Sequence, residues 1–110
     1  MINEAFLDNM LLSLGHDDFN RGTAYLREGV KLWDAGIQSM TKGVYLDVAK
    51  AHGSTASRVE RCMRHSIEKA WARGDEVAQL RTFGYSVDPT MGRPTVGEYI
   101  ARLARVCREN

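Results

Sequence analysis

Apolar residues recur along this chain at three- and four-residue spacings, the period of an amphipathic helix, and no stretch alternates as a strand would. Residues 3–14 place Phe6, Met10, Leu11 and Leu14 together and end at Gly15, a residue suited to the left-handed position that closes helices. Residues 22–34 put Tyr25, Leu26, Val30 and Trp33 on one face and break at Ala35-Gly36. Residues 41–51 gather Val44, Tyr45 and Val48 before His52-Gly53, where Ser54 or Thr55 can cap the donors of the next helix. That helix runs over 56–73 and is stopped by Gly74. Asp75 caps a short fifth helix carrying Val77, Leu80 and Phe83 to Gly84, and 85–94 is a loop. Thr95 and Glu98 have capping-box spacing and open a last helix with Tyr99, Ile100, Leu103 and Cys107 on its buried side. The expected architecture is an all-α, compact six-helix domain spanning 1–110.

Within it, the segment 45–64 has the spacing of a helix-turn-helix. Ala49, Gly53 and Val59 stand at positions 5, 9 and 15 of that window, with Val48 at 4 and Cys62 at 18. Each has a steric reason: a small residue where the helices cross, a glycine for the positive φ of the turn, and apolar residues that lock the second helix onto the first. The helix-turn-helix core is expected over about 41–73.

Composition narrows the class. A chain of 110 residues with 44% hydrophobic and 26% charged residues can bury one core and is not depleted like a disordered chain. Its apolar runs are far too short for a membrane span, and Met1-Ile2-Asn3-Glu4 lacks the basic start of a signal peptide. A cytoplasmic protein with no membrane partner is expected. Cys62 and Cys107 are read as reduced thiols, Cys62 serving mainly in packing.

The net charge of +1 conceals a pattern. Residues 1–40 hold three basic and six acidic side chains, 41–73 hold seven basic against three acidic, and 74–110 hold five of each. A basic centre in a near-neutral chain points to a local anionic partner. At about 100° per residue, Val59, Met63, Ser66, Ile67 and Ala70 share one side of the fourth helix, while Ser57, Arg61, Arg64, His65 and Glu68 share the other. Arg58 lies in the first turn, where a major-groove helix comes closest to base edges. A guanidinium spans guanine O6 and N7, and Glu60 can accept from cytosine N4, so the mixed set suits base reading. The plainer alternative is a solvated face with Glu60 and Arg64 paired at i, i+4.

The run TASRVERCMRHSIEKAWARG at 55–74 resembles the recognition-helix signature of the C-terminal effector domain of the stage-zero sporulation response regulator. The resemblance extends through GTAYLRE at 22–28, TKGVYLDVAK at 41–50, FGYSV at 83–87, RPT at 93–95 and EYIA at 98–101, and so covers nearly the whole chain. Cys62 stands where a small apolar residue is common in that family, and Leu46 where a proline is usual. The resemblance implies a helical effector domain of the winged-helix-like superfamily, without a clear wing, that reads a short guanine- and cytosine-containing box and activates or represses promoters. It implies that Arg58, Glu60, Arg61, Arg64 and His65 face bases, with Lys42, Ser54, Thr55, Ser57, Lys69 and Arg73 towards phosphates. It also implies a polymerase sigma-subunit contact around Glu76, Gln79 and Arg81, and a homodimer on paired boxes involving 96–108. The family's receiver does not fit in this chain, which is expected to be a dissected effector domain or a free-standing relative.

Other conspicuous residues are read as structural. His16, His52 and His65 have no metal-ligand spacing with the cysteines, so no metal or other cofactor is expected. Trp33, Trp71, Tyr25 and Tyr99 are expected core anchors. Asp17-Asp18 and Asp75-Glu76 are expected charges at helix starts, and no catalytic motif of an enzyme is present. The competing function is an interaction module on the same scaffold, binding polymerase or another regulator through Leu80, Phe83 or Tyr99.

Overall fold

The computed structural model describes residues 2–84 and 92–108, and among these the chain forms six α-helices and no strand. They are α1 (Glu4–Ser13), α2 (Arg21–Asp34), α3 (Tyr45–His52), α4 (Ala56–Arg73), α5 (Glu76–Phe83) and α6 (Val96–Arg108), with a π-helical turn over Met40–Val44 leading into α3. The 85–94 loop of the sequence reading lies outside the described residues except for 92–94. None of the described helices is long and apolar enough to cross a membrane.

Side-chain caps fix most helix starts. Asn3, Asn20, Thr55 and Asp75 accept from Phe6 N, Gly22 N, Arg58 N and Val77 N at 3.1, 2.7, 3.2 and 2.8 Å. Thr95 and Glu98 form the anticipated reciprocal box: Thr95 N donates to Glu98 Oε1 at 2.9 Å and Glu98 N to Thr95 Oγ1 at 3.2 Å. The Thr95 N–H, and after it the Thr95 side chain, stabilise the Glu98 carboxylate and hold its pKa below the usual value. The α2 cap is Asn20, not the Asp17-Asp18 pair. Asp17 instead accepts Phe19 N at 2.9 Å in the preceding turn, and Asp18 reaches Arg27 at 3.5 Å.

α2 is the axis of the core, packed chiefly against α4 and α6. Two glycines allow those crossings. A Cβ on Gly29 would stand 2.9 Å from Ile100 Cδ1 and 3.3 Å from both Met63 Cε and Val44 Cγ1, while one on Gly22 would collide with the Cys62 carbonyl oxygen. Around them Leu26, Val30, Val44, Val48, Val59, Met63, Ile67, Tyr99, Ile100 and Leu103 are buried.

Several expectations are corrected. In α1 the buried row is Leu7, Leu11 and Leu14, with Phe6 and Met10 only partly covered. Its polar residues Glu4, Asp8, Asn9 and Ser13 are spread among the apolar ones rather than gathered on one face, so the pattern leaves its rotation open. The 41–51 helix starts through a π turn, whose wide path seats Gly43 against Ile37: a Cβ there would be 2.6 Å from Ile37 Cγ2. Gly74 stops α4 as expected, in an extended conformation (φ −75°, ψ 166°), and its lack of a side chain serves close packing, since a Cβ would lie 2.6 Å from the Leu14 carbonyl oxygen. α5 turns Gln79 and Thr82 inward, leaving Val77 and Leu80 58% and 56% exposed. The reason is polar: Gln79 Nε2 donates to the Trp71 carbonyl at 3.1 Å, satisfying an acceptor near the C-terminal end of α4. Trp33 and Trp71 are half-buried, whereas Tyr25 and Tyr99 are buried as expected.

Candidate nucleic-acid interface

The turn between α3 and α4 has the geometry that a helix-turn-helix requires. Gly53 adopts the left-handed conformation (φ 62°, ψ 38°) and sends its N–H back to the Ala49 carbonyl. Ala49, Val48 and Val59 are buried on either side of it. Thr55 then starts α4 by accepting from Arg58 N, which leaves its hydroxyl proton free to donate outward.

The inner side of α4 is locked in place. Val59, Met63, Ser66, Ile67 and Ala70 are buried, and Ser66 belongs to a polar cluster beneath the helix. His16 Nδ1 lies 2.8 Å from Ser66 Oγ and His16 Nε2 lies 2.6 Å from the Tyr99 hydroxyl, with Thr23 Oγ1 at 3.5 Å from the same serine. Burial, with Arg73 adding to it, lowers the His16 pKa to about 4, so the ring is neutral and one nitrogen donates while the other accepts. Among the described residues no buried side-chain polar atom lacks a partner. This cluster was not foreseen, because its members are separated by 50 and 83 positions and no local spacing links them.

The outer side of α4 carries Ser57, Arg58, Arg61, Arg64, His65, Lys69 and Arg73, all exposed. Glu60 and Glu68 are partly covered and engaged: Arg64 Nε donates to Glu60 Oε2 at 3.0 Å, and Arg93 Nη2 to Glu68 Oε2 at 2.5 Å. The first of these pairs raises the Arg64 pKa, chiefly through the hydrogen bond. It also bears on Tyr45, whose phenol is pushed up by burial and then by Glu60. Arg58 and Arg61, by contrast, have no ion-pair partner among the described residues.

Lys42 is exposed at the π turn before α3, and Ser54 is half-buried at the α3–α4 turn. Ser54, Thr55 and Ser57 stand at the start of α4. Lys69 and Arg73 do not join them, standing roughly 16 and 22 Å farther along the helix axis than Arg58 at about 1.5 Å per residue. Arg93 was overlooked in the sequence; the fold brings it to α4 across 25 positions.

A family model described as Sporulation initiation factor Spo0A C terminal matches residues 7–107. The chain belongs to that family. It is therefore a DNA-binding domain of the sporulation transcription-factor type, and the helical architecture agrees with this. Membership gives the chain its partner class, DNA. On α5, Glu76 and Arg81 are exposed, but Gln79 is only 3% exposed and hydrogen-bonded inward, so it is withdrawn from the expected polymerase contact. Phe83 and Tyr99 are likewise buried and unavailable to a partner. Among the described residues no three His, Cys, Asp or Glu side chains gather as a metal site would need.

Proposed function

We propose that this chain is a sequence-specific transcription regulator whose α4 enters the major groove and reads a short guanine- and cytosine-containing box. The observation that carries the reading is the pair Arg58 and Arg61, exposed and without ion-pair partners among the described residues on the outer side of the second helix of the helix-turn-helix. A planar guanidinium with its donors unengaged can bond guanine O6 and N7 without first breaking another contact. Arg64 and Glu60 act as a coupled pair, Arg64 turning to a base or phosphate and Glu60 accepting from a cytosine amino group. His65 completes the reading set. Lys42, Ser54, Thr55 and Ser57 fix the register through phosphates, while Lys69 and Arg73 meet the backbone only where the duplex continues along α4.

Binding of the chain at two salt concentrations to a duplex carrying the box, and to the same duplex with its guanines exchanged for adenines, tests this. Preference for the intact box at both salts supports base reading. Equal affinity for both duplexes contradicts it.

A second role is favoured by Val77 and Leu80, which stay exposed on α5 beside Glu76 and Arg81. This small apolar patch with charged neighbours suits the polymerase sigma subunit, through which a bound domain activates or represses. Homodimers on paired boxes would use the outer side of α6, because Val96, Tyr99, Ile100, Leu103 and Cys107 are occupied in the chain's own core.

A further inference from the structure

Of the clefts along α4, two differ in charge. One, of about 610 Å³, lies towards α6 and is lined by Glu60 and Arg64, already paired, together with Arg93, whose guanidinium is held by Glu68. The other, of about 470 Å³, lies between the start of α2 and the helix-turn-helix turn. Arg21, Arg58 and Arg61 all line it, with Ser54 and His52, and no carboxylate is among its described lining residues. Its lining residue His52 engages Glu28 through Nε2 at 2.6 Å. Three guanidiniums gathered without a counter-charge repel one another and create a focused positive potential in a concave site. Such a site is completed by an anion.

We infer that this cleft receives a backbone phosphate of the DNA bound at α4, and that Arg21 is the clamp that holds it. The inference rests on α4 engaging DNA, and it adds a contact from outside the helix-turn-helix. Arg58 and Arg61 form the wall towards the bases, Ser54 supplies a hydroxyl, and Arg21 closes the cleft from the first turn of α2. Its position relative to α4 is rigid. Gly22, the next residue, sits at the closest approach of α2 to α4, where a Cβ would collide with the Cys62 carbonyl oxygen and stand 2.7 Å from Ser66 Cβ. Arg21 is exposed and has no ion-pair partner among the described residues, so binding a phosphate breaks no existing pair. A phosphate clamp sets orientation and affinity without discriminating among bases.

The test compares Arg21→Ala, Arg21→Lys and Arg61→Ala with the unaltered chain, measuring affinity for the intact-box and guanine-exchanged duplexes over a series of salt concentrations. For Arg21→Ala we expect about a tenfold loss on both duplexes at low salt, an unchanged ratio between them, and a slope of log affinity against log salt shallower by about 0.9. Arg21→Lys should restore most of the slope, because a point charge suffices at a phosphate. An Arg21→Ala slope and affinity equal to those of the unaltered chain overturn the clamp. So does a loss confined to the intact box. If the unaltered chain shows no preference between the duplexes, base reading by α4 fails, while the slope comparison still decides whether Arg21 holds a phosphate.

Discussion

The two sides of α4 solve opposite problems. On the inner side Met63, Ile67 and Val59 are buried and Ser66 is tied to His16, so nothing is left to bond. On the outer side, among the described residues, Arg58 and Arg61 have no ion-pair partner, and Arg64 is held by an exposed pair with Glu60. Completeness inside fixes the position of the helix, and incompleteness outside leaves donors for the proposed reading. Substitutions inside should therefore change stability and leave specificity alone, and those outside should do the reverse.

The largest expected effect is on the inner side. Met63→Ala opens a cavity in fully buried surroundings and should cost about 2–5 kcal/mol of stability by urea unfolding. The fraction that remains folded should keep its preference between duplexes; altered preference would break the division between the two sides.

The next effect is acid sensitivity. His16 has a pKa of about 4 in the folded chain against 6.5 when exposed, because burial disfavours the imidazolium and Arg73 repels it. Below pH 6.5 the unfolded chain takes up a proton that the folded chain refuses until about pH 4, so stability falls as pH drops through that window. Above it the shift contributes nothing. The loss should approach roughly 3 kcal/mol. Comparing unfolding at pH 7 and near pH 4.5, the His16→Gln variant should show a smaller drop, and an equal drop would place the acid sensitivity elsewhere.

On the outer side Arg61→Ala should cost about 1–3 kcal/mol of discrimination at one base pair, with stability changed by less than about 0.5 kcal/mol. The smallest effect belongs to Glu60→Gln. Removing the carboxylate loses about 0.2–0.5 kcal/mol of helix stability, frees Arg64, and should raise affinity for the guanine-exchanged duplex more than for the intact box. Weaker binding to both duplexes would mean that Glu60 is needed to position Arg64.

The fold was legible where local rules act. α4 runs over Ala56–Arg73 as its apolar spacing and the Thr55 cap require, Gly53 takes the left-handed turn, and Thr95 with Glu98 opens α6. The outer face of α4 was legible too, because helical period alone separates Arg61 and Arg64 from Met63 and Ile67. What could not be read depends on residues far apart in the chain. The His16, Ser66 and Tyr99 cluster, the Arg93 pair with Glu68, and the place of Gly22 against Cys62 arise only when α2, α4 and α6 cross. Gln79 misled for a related reason. Its polar side chain reads as surface until the unsatisfied carbonyl at the end of α4 is placed beside it.

If α4 reads DNA as proposed, its individual guanidiniums read individual bases. A scan of the box decides this, changing one base pair at a time and measuring affinity for the unaltered chain and for Arg61→Ala. If Arg61 reads a guanine, the penalty for changing that base pair should vanish in the variant while penalties elsewhere persist. A uniform loss of affinity with every penalty intact would make Arg61 a phosphate contact and contradict the claim.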